Sequence, residues 1–162
     1  PYPGGKPMDQ LAQQSAGSVY TLPRAHVDGA PLDMSFSGLK TAVVNLAHNA
    51  QQKGEPLDEP ALARDFTQGV SDELTERAAL ALEQTGRTVL VAAGGVAANS
   101  IIRADLQRLC EKRGVKLYLP PLKWCGDNGA MIGAQGYYEY LAGRRAGLDL
   151  NAYATMDLGT LT

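Results

Sequence analysis

The chain is poor in histidine and cysteine, has no excess of positive charge, and lacks any long apolar run. Each shortage narrows what it can do. His26 and His48 are the only histidines, and they do not stand at the spacing by which two imidazoles share a metal on one helix. They give no support to a hydrolytic triad, and no nucleophile-elbow motif accompanies them. Cys110 and Cys125 are too few for a disulfide scaffold and fit a reducing cytoplasm. Lys and Arg number 15 against 17 Asp and Glu, a net charge of −2. Phosphate neutralisation supplies most non-specific nucleic-acid affinity, so bulk charge argues for no such partner. No apolar run approaches the roughly 18 residues of a membrane span. The opening Pro1-Tyr2-Pro3-Gly4-Gly5 has neither an initiator Met nor the pattern of a signal peptide. It predicts a chain cut from something longer.

What is present suits a folded domain. The 162 residues are 44% apolar and 20% charged, the composition of a soluble globular protein with room for a core. Residues 7–16 predict a short helix closed by Gly17 in the left-handed conformation. Leu32 to Phe36 predicts a strand, followed by a helix capped by Ser37 and running to about Gln52. The Gly- and Pro-containing stretch 53–60 is a connector. A long helix should cover 61–85 and stop at Gly86. Thr88 to Ala93 is a short, almost wholly apolar run rich in β-branched residues, as expected of a strand covered on both faces. A helix from Asn99 to Arg113 should end at Gly114. Val115 to Leu119 is a second strand, closed by Pro120-Pro121. A last helix, from about Asp127 to Ala142, carries Gly129, Gly133 and Gly136 along one face, where another backbone could approach. This order predicts an α/β domain with parallel strands and right-handed crossovers.

In open α/β sheets ligands bind beyond the carboxyl ends of strands, where helix N-termini offer free N–H groups. Three segments fall at such positions: Ser35-Phe36-Ser37-Gly38-Leu39-Lys40-Thr41, Ala93-Gly94-Gly95-Val96-Ala97-Ala98-Asn99 and Cys125-Gly126-Asp127-Asn128-Gly129-Ala130. None has the glycine spacing of a dinucleotide fingerprint or a P-loop.

Each conspicuous residue has two readings. Gly94-Gly95 serves a turn of unusual backbone angle, or clears space for a nucleotide. Asn99 and Asp127 are both competent helix caps, and an acid at a helix start gains about 0.3–1 kcal/mol from the dipole. Either can also face a ligand. Cys125 is a buried small residue or a thiol nucleophile. Arg103, Arg108, Lys112, Arg113 and Lys116, then Arg144 and Arg145, make basic clusters that a solvated helix face explains without a nucleic acid.

Taken together, Tyr2-Pro3-Gly4-Gly5, the three segments above and the continuing Met131-Ile132 resemble the family of the tRNA threonylcarbamoyladenosine synthase catalytic subunit. That family was long labelled O-sialoglycoprotein endopeptidase, or glycoprotease. The resemblance spans residues 1 to about 142. It implies that the family's N-terminal half, with two metal-binding histidines, is absent here. It further implies an actin-like ATPase (ribonuclease H-like) fold, of which residues 1–162 would be the second, C-terminal lobe. The implied activity moves threonylcarbamoyl from threonylcarbamoyl-adenylate to the exocyclic amine of the tRNA adenosine beside the anticodon. Accessory subunits and one iron or zinc ion come with it. By the same resemblance Gly5, Asp9 and Asn99 match substrate-contacting positions, Gly94 and Gly95 the turn beside the nucleotide, and Asp127 the carboxylate ligand of the metal. The family usually has Thr where Gly126 stands.

Three other readings compete. An actin-like-fold ATPase or sugar kinase would carry its phosphate motifs in the other half. A metallo-glycoprotease, the older label, would normally bring two histidines and a glutamate on one helix, and no such run occurs here. A non-catalytic interaction lobe needs no site at all, and with half of its site missing the chain on its own should be inactive.

Overall fold

The computed structural model describes residues 3–24, 27 and 29–155. The chain divides into two compact units, Pro1–Asp127 and Asn128–Thr162.

The first unit is organised around one long helix. Helix α1 covers Gly5–Ala12, α2 Ser37–Lys53 and α3 Glu59–Thr85. At 1.5 Å per residue α3 is about 40 Å long. Its start is specified locally: the Asp58 side chain accepts the Ala61 N–H at 2.9 Å, and Pro60 stands in the first turn, where no helical N–H is needed. Glycines in the left-handed conformation close α2 and α3, Gly54 at φ 66° and Gly86 at φ 62°. Helix α1 lies on α3 and buries Ala12, while Leu39 of α2 packs where α3 carries Gly69. A Cβ on Gly69 would stand 3.2 Å from Leu39 Cδ1. That glycine lets α2 approach.

Helix α4, Ser100–Arg113, packs on α3 through Ile102, Leu106 and Cys110 and ends at Gly114, φ 65°. The shared face also holds a polar knot. Asp105, 9% exposed, accepts from Ser71 Oγ at 2.5 Å and from Gln68 Nε2 at 2.8 Å, and pairs with Arg108. A carboxylate this buried needs such partners. Burial raises the Cys110 thiol pKa above its usual value.

Strands β1, Val89–Val91, and β2, Lys116–Tyr118, pair in parallel with Leu90 opposite Leu117. Together with α4 they make one βαβ unit. Leu90 and Leu117 are half-buried, whereas Val89, Val91 and Tyr118 on the other side are exposed. The strand expected to be covered on both faces is therefore covered on one among the described residues.

Other expectations also change. No strand forms over Leu32–Phe36, whose backbone meets no partner strand among the described residues. Ser37 is the first helical residue of α2 rather than its cap, and Phe36 takes the cap position without a side-chain bond. Helix α1 begins earlier and stops earlier than 7–16, and Gly17 is not left-handed. The Ser15 hydroxyl donates to the Gly17 carbonyl at 2.7 Å, forming a tight turn just after the helix. His26 lies outside the described residues, and His48 is exposed on α2.

In the second unit, α5 spans Gly129–Leu141. Its cap is Asn128, whose side chain accepts the Met131 N–H at 3.0 Å. Asp127, expected to cap this helix, stands one residue too early. Among the described residues of this unit, a Cβ on Gly129, Gly133 or Gly136 would meet no heavy atom within 4 Å, so none of them makes the close backbone approach suggested for that face. No helix of the described residues is long and apolar enough to cross a membrane.

Candidate functional site

Parallel neighbouring strands end at the same edge, so the loops after β1 and β2 leave the sheet side by side. After β1 the chain turns at Gly94, φ 92° and ψ 174°, a backbone conformation open to glycine and strained for an L side chain. The turn reading thus holds for Gly94. Gly95 has no such angle, and a Cβ there or at Gly5 would meet no heavy atom within 4 Å. Nothing described in this chain requires glycine at those two positions. A 3-10 turn, Gly95–Ala98, then delivers Asn99 to the start of α4.

Asn99 is a cap. Its Oδ1 accepts the N–H groups of Ile101 at 3.0 Å and Ile102 at 3.1 Å. The remaining amide of that turn, Ser100 N–H, points to the Asp9 carboxylate at 3.2 and 3.3 Å, and Ser100 Oγ donates to Asp9 Oδ1 at 2.7 Å. Gln13 Nε2 adds a bond to the Ser100 hydroxyl at 3.0 Å. The expectation of free N–H groups at this helix start is therefore corrected. Asp9 and Asn99 already satisfy them, in keeping with the preference of helix N-termini for acids and polar caps. Asn99 keeps its NH2 group as the donor it can offer elsewhere.

Five predicted residues thereby come together. Asp9 meets the start of α4 beside Asn99, Gly94 and Gly95 lie in the loop leading to it, and Gly5 sits one helical turn before Asp9 on the same face of α1. Asp127 lies in the neighbouring loop and is exposed.

Arg103 connects the two loops. Its Nη1 donates to the Ala97 carbonyl at 2.9 Å, its Nη2 donates to the Pro120 carbonyl at 3.1 Å, and Nη1 lies 3.8 Å from Cys125 Sγ. Cys125 is 4% exposed, with its Sγ 3.7 Å from the Pro121 carbonyl, which fits the buried reading of this thiol. Sequence reasoning placed Arg103 in a solvated basic face and did not single out Ser100. The position of Arg103, one turn into a helix that begins at a strand-end loop, was the available signal.

A metal site needs several converging donors. Among the described residues no three His, Cys, Asp or Glu side chains come together. These residues do not make a complete site, and Asp127 could contribute one anionic ligand at most.

A βαβ unit with polar side chains gathered at the carboxyl edge of its strands makes this an α/β arrangement, a class in which that edge is the usual place for ligands. The chain belongs to the tRNA N6-adenosine threonylcarbamoyltransferase family, whose sequence model matches residues 1–134. Curated relatives bearing that name include one from Clostridium botulinum strain 657, 39% identical over 158 residues, covering 98% of this chain and 46% of the relative. One from Bacillus cereus is 44% identical over 159 residues, with 98% and 46% covered. One from Staphylococcus haemolyticus is 43% identical over all 162 residues and 47% of its own length. The chain spans about half the length of these relatives.

Proposed function

We propose that this chain forms part of a transferase that moves threonylcarbamoyl from threonylcarbamoyl-adenylate to the exocyclic amine of the tRNA adenosine beside the anticodon. In this reading the adenosine nitrogen forms a bond to the carbamoyl carbon, the carbon–oxygen bond to phosphate breaks, and AMP leaves as the amine loses a proton. The observation that carries the reading is the family match over residues 1–134, in a chain where the loops bearing Gly94, Gly95 and Asn99 and bearing Asp127 follow neighbouring parallel strands. The polypeptide is taken as the second lobe of an actin-like, ribonuclease H-like fold, working with accessory subunits in the cytoplasm and inactive by itself.

The residues have chemically sensible parts in it. The Asn99 NH2 group can donate to a ligand carbonyl or phosphate oxygen while its oxygen holds α4. Asp9 can accept from a ligand hydroxyl through lone pairs that Ser100 leaves available. Open space beside Gly5 and Gly95 allows a ligand to lie against the backbone. Asp127 would be the carboxylate ligand of an iron or zinc ion whose other protein ligands come from outside this chain. Such an ion supplies Lewis acidity at a carbonyl.

The test is an assay of the natural gene product with its accessory subunits, unmodified tRNA and threonylcarbamoyl-adenylate, read by mass spectrometry of the nucleosides. Threonylcarbamoyladenosine should appear. ATP or sugar turnover without tRNA modification would favour the kinase reading, and peptide cleavage the glycoprotease reading. No turnover of any of these would favour a non-catalytic lobe.

A further inference from the structure

The two loops at the sheet edge carry different cargo. The loop after β1 leads to Asn99, and the loop after β2 leads to Asp127. Backbone pairing between the strands reaches only as far as the Ala92 N–H, which donates to the Tyr118 carbonyl at 3.1 Å. Beyond that point a different connection is required, and Arg103 makes it. One guanidinium joins the Ala97 carbonyl of the first loop to the Pro120 carbonyl of the second and lies over Cys125, two residues before Asp127.

The chemistry of that contact is specific to arginine. A rigid planar fork can hold two acceptors at once, whereas a lysine ammonium is a single flexible point charge. Arg103 has no carboxylate within 4.0 Å among the described residues, although Arg24, Arg77, Arg108, Arg113 and Arg144 all do. Its charge is directed at backbone carbonyls, and it is half-buried in making those bonds.

We infer that Arg103 is a positioning residue, which fixes the loop bearing Asp127 against the loop bearing Asn99. It acts through the two loops it holds. The consequence for the reaction rests on the transferase reading above; the consequence for the loop does not.

Arg103→Lys and Arg103→Gln in the natural gene product test it with two readouts. The first is thiol labelling under native conditions. Cys125 lies beneath Arg103, while Cys110 is buried in the α3–α4 core and serves as an internal control. Loosening the loop should speed modification of Cys125 at least about tenfold in both variants and leave Cys110 protected, because local opening exposes one thiol and global unfolding exposes both. The second readout is steady-state transfer. kcat should fall about 10–100-fold, as for other groups that orient a ligand from behind, while KM for the adenylate changes less than about threefold. Lysine should not rescue. Unchanged labelling in both variants would overturn the inference, as would both thiols reacting together, which would make Arg103 a general stabiliser. Full rescue by lysine would show that charge alone matters and would equally overturn it. If the wild-type protein shows no transfer, the functional reading falls and the labelling still decides whether Arg103 holds the loop.

Discussion

Asp9 and Ser100 are 91 residues apart in sequence and joined by a 2.7 Å hydrogen bond from the Ser100 hydroxyl to the Asp9 carboxylate, with the Ser100 N–H on the same acid. The residue that the family resemblance casts as a substrate contact thus also docks α1 on the start of α4. Two roles in one side chain can be separated, because asparagine keeps an acceptor for the cap but loses the negative charge.

Asp9→Asn is expected to keep the melting temperature within a few degrees and to raise KM for the adenylate roughly tenfold, the scale of one lost hydrogen bond to a charged group. Asp9→Ala should in addition destabilise by about 1–2 kcal/mol through loss of the cap. Melting curves and transfer kinetics on the natural gene product check both. An Asp9→Asn protein with unaltered KM and kcat would leave Asp9 as a docking residue only.

A second carboxylate gives a pH prediction. Asp65 of α3 is 8% exposed and accepts the N–H groups of Tyr20 at 2.7 Å and Val19 at 2.9 Å. Burial pushes its pKa up, but the Tyr20 and Val19 amides, with the Ser18 side chain and the Arg64 charge, outweigh that and hold it below its usual value of 3.8. A depressed folded-state pKa means the ionised acid stabilises fully above its unfolded value, and the stabilisation fades as pH falls through the folded one. Asp65→Asn should therefore cost about 1.5–3 kcal/mol at neutral pH. That deficit should shrink only below about pH 4. Denaturant titrations between pH 7 and pH 3 would show it; a deficit constant across the range would mean that charge is not what holds residues 18–20.

Much of this was legible because it is local. Gly54, Gly86 and Gly114 end helices in the conformation that glycine favours, and Asn99 caps the helix it precedes. The apolar runs around Leu90 and Leu117 are strands as their composition suggests. What escaped depends on partners distant in the chain. Leu32–Phe36 has strand composition, but a strand exists only against another. Asp127 and Asn128 are equally competent caps on paper, and only the extended backbone of Asn128, φ −153° and ψ 144°, decides between them. Gly69, Asp65 and Arg103 look like an ordinary helix glycine, acid and base until Leu39, Tyr20 and Pro120 arrive beside them. Gly94, Gly95 and Asn99 were conspicuous in the sequence, and the family resemblance added Gly5 and Asp9. That Asp9 would fold onto the helix that Asn99 caps was legible in neither.

The separation of Asp127 from the cap of α5 sharpens one further test. Because Asn128 accepts the Met131 N–H, the charge of Asp127 is not needed to start that helix. Asp127 is also exposed, so replacing it leaves no buried polar group unpaired. Asp127→Asn should therefore leave the melting temperature of the metal-free natural gene product unchanged. If Asp127 is the metal's carboxylate ligand, the same change removes the anionic donor and should lower bound iron or zinc together with transfer. Groups that merely orient a ligand are worth about 10–100-fold, so losing the ligand itself should cost at least that much. Metal content by mass spectrometry, melting of the metal-free protein, and transfer to unmodified tRNA would be measured on wild type and variant side by side. Asn128→Ala is the companion variant: it should weaken α5 by about 1 kcal/mol and leave metal content unaltered. Parallel loss of metal and activity in Asp127→Asn, but not in Asn128→Ala, would establish the ligand role. Full metal content and full transfer in a stable Asp127→Asn protein would remove it, and the metal's carboxylate would then have to be sought elsewhere.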